Sequence, residues 1–247
     1  MNRLIILTGP SCIGKSPLDK ALWRFYPELR GSMQKLILYN DRPPRPGEME
    51  GKDYYFRKRS FIDALRLDPN FIVMGVRGDL QALNLEELSR MLKKSHVFFE
   101  GNPYVAEALQ THPKLNSYNK LSVFISPLSR EEIEYFINPD LNVSLPNLVT
   151  EIMRRKLLRR KRKQKLEISQ IDLEDIEIRA SSAYKEMKMA WQFNHVLPNH
   201  DGEDSDNWEG FYYPVGDARK TLLNFVALLK GKKAPLAEKW ERNLLAC

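Results

Sequence analysis

Apolar positions in this chain cluster into short runs separated by amphipathic stretches. Leu4 to Thr8 (LIILT) is a continuous apolar run ending at a glycine, the pattern of a buried parallel strand. A helix is predicted from about Lys15 to Tyr26, with Leu18, Ala21, Leu22 and Phe25 on one side and Pro27 closing it. Lys35 to Tyr39 and Tyr54 to Phe56 have strand composition. They flank Asn40 to Gly51 (NDRPPRPGEMEG), whose prolines, glycines and charges predict a loop. Three further runs, His96–Phe99, Ser122–Ile125 and His195–Leu197, read as core strands, and Leu85–Leu92 and Pro103–Leu109 as helices between them. Strands alternating with helices predict an α/β fold with a parallel sheet flanked by helices. From Tyr135 to Thr150 the chain reads as loop, with Pro139, Pro146, Asn138, Asn142 and Asn147. A long helical pattern then runs to about Phe193. An amphipathic helix covers about Asp217 to Leu229, and the tail beyond it is expected to be mobile.

Composition narrows the class. The 247 residues are 43% hydrophobic, with a mean hydropathy of −0.47, which suits one large domain, or a core with satellites, and excludes a membrane protein. The apolar stretch Leu4–Leu7 is too short for a spanning helix or a signal core. Two cysteines, Cys12 and Cys247, offer neither a disulfide framework nor a cysteine-rich zinc site. The expectation is a soluble, cytoplasmic protein. Its net charge of +7 is local: Arg154 to Lys165 holds nine basic residues and no acid, and without them the chain carries −2.

Chemistry enters at Gly9-Pro10-Ser11-Cys12-Ile13-Gly14-Lys15-Ser16, which fits GxxxxGK[ST] between a strand and a helix. Successive backbone N–H groups in such a loop wrap a phosphate chain, and the helix N-terminus adds partial positive charge. Lys15 would reach the β- and γ-phosphates and the Ser16 hydroxyl would ligate Mg²⁺. Pro17 removes an N–H and a hydroxyl that such loops commonly supply, although proline is tolerated in a first helical turn. Cys12 reads either as a small packing residue or as a redox-sensitive thiol beside a positive pocket.

A second phosphate grip is suggested by Arg42-Pro43-Pro44-Arg45. Two arginines three residues apart, held by prolines, can converge on one phosphate, and Tyr54 can add a hydroxyl. With GPSCIGKS upstream and RPPRPGEMEGKDYYF downstream, the sequence resembles the guanylate kinase family, whose signature runs close to TTRxPRxGExxGxxYxF after GPSGxGKS. Weaker resemblance continues through His96–Glu100, Val123–Pro127 and Arg179–Asp201.

The resemblance implies a P-loop core (1–33, 95–134 and 176–247), an acceptor-binding subdomain (34–94) and a basic lid with an insertion (135–175), both pieces closing on ligand. It implies ATP as phosphoryl donor, with Mg²⁺, and GMP or dGMP as acceptor. Arg42, Arg45 and Tyr54 would hold the acceptor phosphate. Arg155 and Arg159 would be lid arginines and Arg179 an arginine reaching in from the lid's end. Asn199 would lie near the adenine. This chain departs from the family at Tyr39, Asn40 and Asp41, which replace its hydroxyl residues, and at Val76–Asp79, where the family has a Tyr-Gly-Thr or Tyr-Gly-Ser element. Guanine's N–H donors call for a carboxylate, and Glu100 and Asp79 are the two candidates. These departures keep open another acceptor, such as a different nucleotide or a ribose bisphosphate, and a non-catalytic binding module.

A phosphate acceptor needs no strong base, consistent with scattered histidines (His96, His112, His195 and His200) that read as structural or surface. Three readings stand for Arg154–Lys165: a lid over ATP phosphates, a solvated helix face and a nucleic-acid contact. Asp201–Glu209 (DGEDSDNWE) lacks the glycine and glutamate of a calcium loop and reads as a surface loop.

Overall fold

All five residues of β1 (Leu4–Thr8) are buried, as a strand covered on both faces requires. The computed structural model describes residues 2–44 and 47–245. After β1 come α1 (Lys15–Phe25), α2 (Pro27–Gly31), β2 (Met33–Lys35), β3 (Leu38–Asn40), β4 (Tyr54–Phe56), α3 (Arg59–Ala64), β5 (Phe71–Val76) and β6 (Asp79–Asn84). Next are α4 (Leu85–Lys94), β7 (His96–Glu100), α5 (Pro103–Thr111), β8 (Lys120–Ser126), α6 (Arg130–Phe136), α7 (Leu145–Gln164), α8 (Gln170–Met187), β9 (His195–Pro198) and α9 (Gly216–Leu229). Among the described residues the strands form a five-stranded sheet, order β2-β7-β1-β8-β9, and a four-stranded sheet, order β4-β3-β6-β5. The β2–β7 and β8–β9 pairs are parallel, so the predicted α/β class holds. No helix among them is long and apolar enough to cross a membrane.

Four expectations need correction. The run Lys35–Tyr39 is not one strand: the chain leaves the larger sheet after Lys35 and enters the smaller one at Leu38. Tyr135–Thr150 is not all loop. The Ser129 capping box starts α6 ahead of it, and α7 begins at Leu145 with Pro146 in its first turn, where a missing N–H costs nothing. The pattern reaching Phe193 is two helices, because a Ser169–Asp172 capping box starts α8 afresh. The described part of the tail past Leu229 packs back onto the fold, against the expectation of mobility: Val196 and Glu238 exchange backbone hydrogen bonds at 2.8 Å, and Trp240 is 3% exposed.

Contacts divide the chain into two compact units, Met1–Ile6 with Gly31–Leu121 and Leu7–Arg30 with Ser122–Cys247. In the first, β5 and β6 form a hairpin whose turn, Arg77 (φ 50°) and Gly78 (φ 96°), has both central residues left-handed. Alternation along the strands gives the smaller sheet two faces. Tyr39, Phe71, Val73, Leu80 and Ala82 lie on one, packed with Ile62 of α3 and Leu65. Leu38, Asn40, Tyr54, Phe56, Asp79 and Gln81 lie on the other. The second unit carries the glycine-rich loop, the helical pair α7–α8, and β9 with α9.

Candidate active site

Between β1 and α1 the loop Gly9–Gly14 turns through three positive-φ residues, Gly9 (142°), Cys12 (66°) and Gly14 (101°). Such reversals turn neighbouring N–H groups toward one centre, an anion-binding nest. A Cβ on Gly9 would sit 2.3 Å from the Ile125 carbonyl oxygen, and one on Gly14 2.7 Å from Asn199 Nδ2, so both close approaches require glycine. Cys12 stands where the resembled motif has glycine and tolerates the same backbone. Its thiol is buried and is pushed up to about 12 by burial and by the Glu203 carboxylate. At neutral pH it is a packing residue, and the redox reading falls.

Lys15 opens α1 and folds back onto the loop, donating to the carbonyls of Gly9 (2.9 Å) and Pro10 (2.7 Å). Ser16 follows, exposed at the helix start. Pro17 sits in the first turn, before the first intrahelical bond, Leu18 N–H to Gly14 O. Among the described residues no three histidine, cysteine or acidic side chains cluster as a metal site. A hydroxyl oxygen beside a phosphate nest suits a hard cation that keeps phosphate and water ligands, so Ser16 fits Mg²⁺ brought in with a nucleotide.

The loop is braced from behind. Asn199 is wholly buried; its Nδ2 donates to Ile13 O (2.8 Å) and Asp201 O (2.6 Å), and its Oδ1 accepts from Asp201 N–H. It therefore holds the shape of the phosphate loop, and neither amide hydrogen is open to an adenine. Asp201 is in turn held by Ser205, Asn207 and the Ala218 N–H. These bonds lower its pKa against the opposing effect of burial.

This acidic segment is also the counter-charge of the basic run. Arg160 pairs with Glu203 at 2.5 Å, Lys163 with Asp206 at 2.5 Å and Arg159 more loosely with Asp204 at 3.8 Å. Lys156 donates to the His200 carbonyl. Across the helical pair Arg154 grips Glu177 with two nitrogens (2.6 and 2.7 Å), while Lys161 and Lys165 share Asp172. Arg155 and Arg162 are exposed and have no ion pair among the described residues. Most of the excess charge is therefore neutralised internally, a role for Asp201–Glu209 that composition alone did not reveal. Arg179 is buried and bonded to Asp175 at 2.9 Å.

In the first unit Arg42 makes a two-pronged pair with Glu48 (2.6 and 2.7 Å) and stacks over Tyr54 and Phe56. Burial opposes its charge, but Glu48, with Tyr54 and Asp79, more than restores it. A guanidinium fork already matched to a carboxylate presents the geometry a phosphate would take. Arg45 lies outside the described residues. Asp79 and Glu100 are both partly buried, at the starts and ends of β6 and β7 respectively. Nearby, Asn40 Nδ2 and Gln81 Oε1 are buried with no hydrogen-bond partner among the described residues, at about 1–3 kcal/mol each.

Comparison with known proteins follows the same lines. The family model described as guanylate kinase matches residues 1–152, spanning both phosphate loops and ending before Arg155, Arg159, Arg179 and Asn199. A guanylate kinase of Synechococcus sp. (strain JA-3-3Ab) is 30% identical over 215 residues, 86% of this chain and 82% of its own length. One from Ruegeria sp. (strain TM1040) is 26% identical over 243 residues, 95% of this chain and 89% of its own. The crystal structure of guanylate kinase from Anaplasma phagocytophilum shares the fold, with a TM-score of 0.52 at 16% identity over 93% of this chain and 85% of that one. The chain belongs to the guanylate kinase family.

Proposed function

We propose that this chain transfers the γ-phosphoryl group of ATP to the phosphate of GMP or dGMP. The observation that carries the reading is the presence, inside the family-matched span, of two phosphate grips: the Gly9–Ser16 nest and the Arg42–Tyr54 loop. Lys15 exchanges its bonds to Gly9 O and Pro10 O for β- and γ-phosphate oxygens. Ser16 would hold Mg²⁺ brought in with the nucleotide, and the ion would add positive charge at the phosphates.

Arg42, Arg45 and Tyr54 hold the acceptor phosphate, with Glu48 giving up the Arg42 fork. Arg155 and Arg159 supply charge at the transferring group. Their availability supports this, since Arg155 has no ion pair among the described residues and Arg159 is 70% exposed, whereas Arg154 and Arg160 are committed to Glu177 and Glu203. Arg179 adds a third cation, and Asn199 acts on ATP through the loop it braces. Asp79 or Glu100 meets guanine's N–H donors. The acceptor oxygen is already anionic, so positioning and charge carry the reaction without a general base.

The test is a coupled ADP-release assay with ATP and Mg²⁺ against GMP, dGMP, AMP, CMP, UMP, dTMP and ribose 1,5-bisphosphate. Turnover confined to GMP and dGMP is expected. Turnover with another acceptor instead replaces the substrate, and none at all returns the chain to a binding role.

A further inference from the structure

The second face of the smaller sheet contains an unusual pair. Asn40 and Gln81 stand directly opposite each other in the β3–β6 register, so both side chains project from the same face. They are 0% and 4% exposed. The Arg42 backbone N–H donates to Asn40 Oδ1 at 3.2 Å, which fixes that carboxamide and leaves Nδ2 as its remaining polar atom. Among the described residues neither Asn40 Nδ2 nor Gln81 Oε1 has a hydrogen-bond partner, so the two amides do not satisfy each other.

Buried polar atoms are nearly always matched in folded proteins. One unmatched donor beside one unmatched acceptor, on the face where Arg42 stacks on Tyr54 and Phe56, is a surface shaped for the polar edge of a ligand. The resemblance places a hydroxyl residue at position 40, so this carboxamide is a feature of this chain.

We propose that Asn40 and Gln81 read the base of the acceptor nucleotide, Asn40 Nδ2 donating to guanine O6 and Gln81 Oε1 accepting from guanine N1–H, which leaves the N2 amino group to the carboxylate of Asp79 or Glu100. This rests on the guanylate kinase reading above and specifies its base selection. Guanine carries an acceptor and a donor side by side on that edge, matching the pair. Adenine carries them in the opposite order, and the tie from Arg42 N–H to Asn40 Oδ1 prevents the asparagine from turning over to suit it. Exchange of Glu48 for the acceptor phosphate draws the Arg42 fork off this face and admits the base.

The test compares wild type with Gln81→Leu, of similar size, and Gln81→Glu, which keeps an acceptor oxygen. In Gln81→Leu the KM for GMP is expected to rise about tenfold, the loss of one buried hydrogen bond, while the KM for ATP stays within twofold. Its melting temperature should not fall, because an unmatched acceptor has been replaced by an apolar group. Gln81→Glu should keep the KM for GMP within a few-fold, which a purely structural role would not distinguish from Leu. Gln81→Met provides a second apolar variant should Leu pack poorly. An unchanged KM for GMP in the apolar variants of an enzyme active on GMP overturns this assignment alone. A wild type that turns over no nucleotide overturns both it and the proposed function. Activity confined to a different base, with that acceptor's KM raised in Gln81→Leu, overturns the guanine pairing.

Discussion

Asn199→Asp is nearly isosteric, so it tests hydrogen bonding without opening a cavity. The two bonds that Nδ2 donates, to Ile13 O and Asp201 O, become oxygen facing oxygen at the same distances. The buried carboxyl avoids this repulsion by staying protonated, and then satisfies one of the two carbonyls. Losing the other bond costs about 1 kcal/mol. Holding the acid protonated at pH 7, about three units above its ordinary value, costs about 4 kcal/mol. The total of about 5 kcal/mol lowers the melting temperature by about 10–20 °C for a chain of this size. The sign in pH follows from linkage: the folded pKa is raised, so the penalty grows as pH rises from about 4 toward that value. Thermal unfolding at pH 5, 6 and 7 should show the gap from wild type roughly halving at pH 5, where about one unit of protonation remains. The KM for ATP should rise because Ile13 loses its brace. A deficit under about 1 kcal/mol, or one that does not change with pH, would refute the bracing role.

Lys15→Ala should lower kcat by about a thousandfold or more while the far-ultraviolet spectrum is unchanged; retained turnover would remove the phosphate-loop assignment. Arg155→Ala should reduce kcat at least tenfold and Arg162→Ala little, which steady-state kinetics at saturating ATP will separate. Burial lowers the pKa of His200, but Asp217 and Glu132 on either side of the ring outweigh it and raise the value. Its contribution is therefore complete below about pH 6.5 and is lost as pH rises through the folded value. Denaturant midpoints should fall over that interval in wild type and flatten in His200→Gln. The basic run should give at most weak duplex binding, with little dependence of affinity on salt between 50 and 200 mM in a titration followed by anisotropy, because so few of its charges are free.

Where a local rule had no competitor, the chain was legible. β1 and the start of α1 follow from an apolar run, two glycines and Lys-Ser, and the structure places them at those residues. Proline is ambiguous as punctuation, since it suits a loop and a first helical turn alike, and Pro146 occupies the latter. The β5–β6 hairpin is harder to see in the sequence, because Arg77 is an uncommon occupant of a left-handed turn position and only Gly78 beside it carries the signal. Composition marked 154–165 as excess charge, yet the partners, Asp172, Glu177 and Asp201–Asp206, lie elsewhere in sequence and are assembled only by folding. The same is true of Asn40 and Gln81, ordinary polar residues until strand pairing sets them side by side.

The strap formed by the tail has a consequence for solubility. β9 is the last strand of its sheet, and its outer side is where another chain would add a strand. Glu238 occupies that position at Val196. It is held there by the Arg130 N–H and the Trp240 indole on its carboxylate (3.0 and 2.6 Å), and by Lys239 on the Phe193 carbonyl. Removing the strap would leave the Val196 N–H and C=O unsatisfied beside a newly bared apolar surface. Self-association into sheet-like oligomers, growing with concentration and temperature, is then the first failure to appear, well before the phosphate loop loses its shape.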